Sequence, residues 1–106
     1  MKTKLYIKEE MAIYMKKILL FYGKECVHCH VMLPLADKLE KEEKVKIEKL
    51  EVWHNEKNAK KMRKFENMVR KACDGEFGVP AFIDEKGKKA FCGESSYSGL
   101  KKWAKK

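Results

Sequence analysis

Glutamine is absent from this chain and threonine occurs once, at Thr3, while lysine and glutamate dominate. That bias resembles hyperthermophile usage, in which disulfides also occur inside the cell. Long apolar runs are missing too. The run at residues 18–22 is five residues long and none exceeds it, far short of the roughly 20 that span a bilayer and below the ~7–15 of a secretory leader. The expectation is a cytoplasmic protein without a membrane anchor, although Lys16 and Lys17 precede the run. The formal charge is +9, but the lysines are spread along the whole chain and widely interleaved with glutamates. Residues 38–49 interleave lysine with glutamate like a solvated helix face, and no aromatic RNA-binding motif is present. Nucleic acid is therefore not an expected partner; the positive balance instead speeds encounter with acidic proteins. No internal repeat occurs. With 106 residues and 44% apolar content, the chain makes one folded domain with a real core, expected as a monomer.

What the chain does have is four cysteines, two of them in Cys26-Val27-His28-Cys29. The motif follows the apolar run, with Gly23-Lys24-Glu25 as a turn between. After it, Met32, Leu35, Ala36 and Leu39 recur at helical spacing. A strand therefore hands over to the first turn of a helix at this point. Unpaired N–H groups and the positive end of the helix dipole favour a thiolate there over a thiol. A residue three positions along lies on the same face, within reach of a disulfide. Cys26 is expected to be the exposed, low-pKa attacker and Cys29 the shielded partner that closes the ring. The pattern is that of a thiol–disulfide exchange site, with no metal and no cofactor beyond its own redox disulfide. His28 can donate to the Cys26 thiolate or add positive charge beside it, tuning the couple toward oxidising behaviour. His30 faces away and reads as surface.

Residues 1–15 carry no motif and no clear period. They read as an N-terminal extension, either frayed or an edge strand through Leu5 and Ile7, ahead of a single domain at 16–106. Residues 18–22 suit a strand buried on both faces. Pro34 either kinks the following helix after its first turn or marks its true start; the apolar period already in place at Met32 favours the kink. Residues 45–52 form a second strand whose alternation slips at Lys49, which predicts a bulge or an early end. Trp53 and His54 are turn and packing residues. A helix over 56–72 carries Ala59, Met62, Phe65, Val69 and Ala72 on one stripe, and Asp74-Gly75 and Gly78 break it. Residues 79–84 and 88–92 pair as a hairpin around Lys86-Gly87. After a loop at 93–96, Ser96 or Ser98 caps a last helix with Tyr97, Leu100, Trp103 and Ala104 inward.

This order, β-α-β-α-β-β-α with CxxC opening the first helix, resembles the thioredoxin fold in its short, glutaredoxin-like form, from Ile18 to Lys106. The resemblance implies an α/β domain with a four-stranded mixed sheet flanked by three helices. Pro34 stands where thioredoxins carry the proline that kinks the active-site helix. Gly78-Val79-Pro80 stands where the family has its cis-proline, and Gly93 where a glycine follows the last strand. By that likeness Val79-Pro80 is cis and exposes the Val79 backbone, so that a substrate chain adds to it as a strand and presents its sulfur to Cys26. Leu20 replaces the buried aspartate of thioredoxins, as in glutaredoxins. Gly93-Glu94-Ser95-Ser96 lacks the aspartate that closes a glutathione site. The implied activity is protein disulfide exchange, with protein disulfides and an unidentified electron donor as partners.

Two other functions compete. One is a zinc module built from Cys26, Cys29 and His28 or His30, joined by Cys73 or Cys92; a structural zinc site usually shows a second close pair, and Cys73 and Cys92 are far apart in the chain. The other is a noncatalytic adaptor on the same fold. Cys73, at a helix end, reads as a small buried hydrophobe. Cys92, beside Gly93, falls near the active-site end of the sheet, so either is a candidate extra redox residue.

Overall fold

Residues 16–105 are described by a computed structural model, and the extension at 1–15 lies outside them. The elements are β1 (Lys16–Tyr22), α1 (Val27–Glu43), β2 (Val45–Glu51), α2 (Glu56–Arg63), α3 (Glu66–Ala72), β3 (Ala81–Asp84), β4 (Lys89–Cys92) and α4 (Tyr97–Lys105). The strands form one mixed sheet in the order β2-β1-β3-β4. β1 runs parallel to β2 and antiparallel to β3, and β4 pairs antiparallel with β3. This is the mixed α/β architecture that the chain order implies, with helices on both faces.

The two faces are sorted by the period of two along each strand. Ile18 and Leu20 point to one side with Val45, Ile47 and Phe82, where Met32, Ala36 and Leu39 of α1 and Leu100 and Ala104 of α4 cover them. Leu19 and Phe21 point to the other with Leu50, Ala81 and Ile83, beneath Met62 of α2 and Val69 of α3. β1 is thus buried on both sides, which is why its sequence is a continuous apolar run. Each such fully buried large side chain contributes about 1.5–3 kcal/mol relative to exposure.

The slip at Lys49 has the same origin. β2 pairs with β1 in unbroken register from Lys16↔Val45 to Tyr22↔Glu51, without a bulge. Val45 and Ile47 serve one core and Leu50 the other, so the apolar phase changes while the backbone does not.

A second difference concerns the helix over 56–72, which is two helices, making four among the described residues. At the break the backbone tightens: Lys64 N–H donates to Lys61 O and Phe65 N–H to Met62 O, at 3.2 and 2.9 Å. Phe65 then packs against Phe21, with ring centroids 6.2 Å apart. No glycine or proline marks this place; packing on the sheet decides it. Pro34 lies inside α1, which begins at Val27, ahead of the proline.

At the end of the sheet remote from the cysteine motif, Asp84 is buried and meets Lys16 at 3.4 Å. It also accepts the Gly87 N–H at 3.0 Å, which shapes the β3–β4 turn. A Cβ at position 87 would press on that carboxylate. Ser96 caps α4 by accepting the Gly99 N–H at 3.2 Å.

Candidate active site

The strand β1 ends at Tyr22, a four-residue turn closes with Cys26 N–H on Gly23 O at 3.0 Å, and α1 starts at Val27. Cys26 is the N-cap of α1 in extended backbone, and its Sγ accepts the Cys29 N–H at 3.3 Å. A sulfur thus takes the capping role that a serine or aspartate oxygen usually fills, and the helix end favours negative charge on it. Neither cysteine is exposed. Cys26 has 6% of its surface accessible and Cys29 1%, so the expectation of an exposed attacker is corrected. The helix start is tucked beneath the segment before β3, and the Cys26 thiol faces the Val79 carbonyl at 3.9 Å. The Val79–Pro80 peptide bond is cis.

Cys29 lies one turn further in, and its Sγ accepts the Gly23 N–H at 3.5 Å. Burial pushes its thiol up to about 12; its contact with Cys26 and the charge there act the same way, and only the Gly23 N–H opposes them. The inner sulfur is therefore held as a thiol. Both are free thiols.

Glu51, the last residue of β2, organises the rim. Its carboxylate accepts the backbone N–H groups of Lys24 at 2.9 Å, Trp53 at 3.1 Å and His54 at 2.8 Å. Desolvation, the largest single influence, raises its pKa, but the His54, Lys24 and Trp53 N–H bonds and the His54 charge outweigh it and hold the group below its usual value. His54 donates from Nε2 to Glu25 at 2.7 Å. These bonds staple the loop before the motif to the loop after β2. The Trp53 ring lies over Gly23, where an added Cβ would collide with it. The exposed apolar groups around the motif are Val27, Val31 and Trp53. Beside them runs a groove of about 180 Å³ lined by residues including Met62, Phe77, Gly78 and Val79.

The structure brings Cys26, Cys29, Val79 and Pro80 together. It takes His28 elsewhere: Nδ1 donates to Glu94 at 2.7 Å, not to Cys26, because the loop after β4 carries Glu94 over the helix start. His30 donates to the Lys24 carbonyl at 2.6 Å. Cys73 and Cys92 are joined in a disulfide, which corrects the reading of Cys73 as a simple buried hydrophobe. The zinc set is therefore not assembled, and among the described residues no group of three or more His, Cys, Asp or Glu is placed to hold a metal. Glu51 and Glu94 were missed from sequence; nothing in their neighbourhoods distinguishes them from the chain's other glutamates.

This arrangement is a thioredoxin-like fold in its glutaredoxin-like form. Among solved structures the chain is similar to the glutaredoxin from Archaeoglobus fulgidus, at 21% identity over 87% of this chain and 89% of that one, with a TM-score of 0.60. At that identity the likeness is one of fold. No protein-family model matches the chain, and no curated protein matches it significantly. Among the described residues, no helix is long and apolar enough to cross a membrane.

Proposed function

We propose that this chain is a thiol–disulfide oxidoreductase acting on protein disulfides, with Cys26 as the attacking and Cys29 as the resolving sulfur. The observation that carries this reading is the asymmetry of the pair. Cys26 Sγ caps a helix and faces the Val79 carbonyl, while Cys29 lies one turn further in and is held protonated.

Each step follows from that asymmetry. The Cys26 thiolate attacks one sulfur of a substrate disulfide; that bond breaks and the other substrate sulfur leaves as a thiolate, which takes a proton. Cys26 is now in a mixed disulfide and carries no charge. Two of the influences that hold Cys29 protonated, its contact with Cys26 and the Cys26 charge, vanish together, and the Gly23 N–H stays to stabilise the emerging anion. Cys29 then attacks Cys26 Sγ, the mixed disulfide breaks, and the substrate departs reduced. A dithiol reductant returns the Cys26–Cys29 disulfide to two thiols.

Substrate backbone pairs with Val79, and apolar side chains near the substrate sulfur meet Trp53, Val27 and the groove beside Gly78 and Val79. The whole site lies within one chain, so a monomer suffices. The cytoplasm is the proposed compartment, on the hyperthermophile-like composition in which a disulfide such as Cys73–Cys92 persists inside the cell.

A Cys29→Ser variant should accumulate a mixed disulfide with a protein substrate, seen as a reductant-sensitive adduct by mass spectrometry. Cys26→Ser should form none. Equal trapping by both variants, or by neither, would overturn the assignment. The reduction potential gives the direction: near about −270 mV indicates a reductase, near about −120 mV an oxidant.

A further inference from the structure

The second cysteine pair is placed to control the segment that this reading assigns to substrate. Cys73 closes α3 and Cys92 ends β4, with a Cα–Cα distance of 5.4 Å. Residues 74–80 run directly from the first sulfur to the cis bond at Val79–Pro80. The second sulfur sits opposite the far end of the same segment, since Cys92 pairs with Ala81 and Gly93 N–H donates to Pro80 O at 3.0 Å.

Between those ends Phe77 and Val79 pack against the core and Arg70 lies over the Phe77 ring at 5.7 Å, while backbone hydrogen bonds hold the segment near Gly75. Gly75 N–H reaches Arg70 O at 2.6 Å and Arg70 returns a bond to Gly75 O at 2.8 Å, both at its start. The disulfide is a covalent tie between the end of α3 and the edge strand, added to the packing of Val69 against the sheet. It is also within reach of a reductant. Cys73 and Cys92 are half-buried, and an opening of about 280 Å³ is lined by both together with Asp74, Glu76, Gly78 and Val79.

Resting on the proposed exchange activity, we infer that the Cys73–Cys92 disulfide is a reducible latch on segment 74–80. Closed, it fixes Val79 for capture of protein disulfides; opened by a dithiol, it frees the segment and weakens that capture without stopping the chemistry at Cys26. In the opening step a dithiol thiolate attacks one of the two sulfurs. The Cys73–Cys92 bond breaks and the departing cysteine takes a proton. The second thiol of the reductant then attacks the reductant's first sulfur and displaces the protein cysteine, which takes a proton; the reductant leaves as a cyclic disulfide, and both electrons stay on Cys73 and Cys92.

The test is a single-turnover reaction of protein reduced only at Cys26 and Cys29, with insulin as a protein disulfide and hydroxyethyl disulfide as a small one. Cys73→Ser/Cys92→Ser, assayed well below its melting temperature, should raise the half-saturating insulin concentration about fivefold. Its limiting rate and its rate with the small disulfide should stay within about twofold. Wild type opened stepwise with dithiothreitol should lose insulin capture in step with alkylation of Cys73 and Cys92 read by mass spectrometry; this arm holds even if the variant folds poorly. Unchanged insulin saturation, or equal slowing with both substrates, would overturn the latch. Wild type inert toward both disulfides would instead sink the exchange reading, and the latch with it.

Discussion

The molecule carries two cysteine pairs that differ in every physical respect. Cys26 and Cys29 are one helical turn apart, buried at the start of α1, and free. Cys73 and Cys92 are 19 residues apart, half-buried, and joined. A pair spaced by one turn closes only a tiny ring, so its bond adds little to folding and opens without moving the backbone. A pair that closes a long ring constrains the unfolded chain and fastens separate elements. Proximity in sequence suits a sulfur pair to cycling, and distance suits it to holding.

That contrast is open to direct attack. The largest effect falls on Cys26→Ser, which should lower the insulin-reduction rate by at least about a thousandfold. A variant that kept its rate through Cys73 and Cys92 would erase the division of labour. Next, Cys73→Ser/Cys92→Ser should cost about 3 kcal/mol of folding free energy by loop-closure entropy. Thermal unfolding followed by circular dichroism should then drop by roughly 10–15 °C, whereas Cys29→Ser should leave the melting temperature far closer to wild type.

A third effect depends on pH. Folding holds Cys29 protonated, raising it from 9.0 to about 12. Its contribution to stability is therefore complete below pH 9.0 and is lost as pH rises toward about 12. The urea midpoint of wild type should fall over that window more steeply than that of Cys29→Ala. Iodoacetamide should leave Cys29 unmodified below pH 9.0 and label it as the pH climbs. The smallest effect belongs to Glu94→Gln. The His28–Glu94 pair is exposed on both sides, so its loss should change exchange rates by no more than about twofold. A large change would restore His28 as a tuner of Cys26.

Much of this was readable in the residues themselves. The apolar run of β1, the helical stripe from Met32 to Leu39 and the hairpin around Gly87 each follow from local periodicity or turn chemistry, and they locate Cys26 and Cys29. What stayed hidden depends on distant partners. The phase change in β2 looks like a defect until two separate cores claim Ile47 and Leu50. The break before Phe65 has no breaker residue and is set by Phe21 across the interface. The Cys73–Cys92 bond and the diversion of His28 to Glu94 each join positions that no spacing rule connects.

The indole of Trp53 lying over Gly23 has an evolutionary corollary. In any homologue that puts a side chain at the position of Gly23, that ring must have shrunk or swung aside, so the two sites should covary across an alignment. A lineage retaining the tryptophan beside a bulky neighbour would have had to redraw the approach to its reactive sulfur.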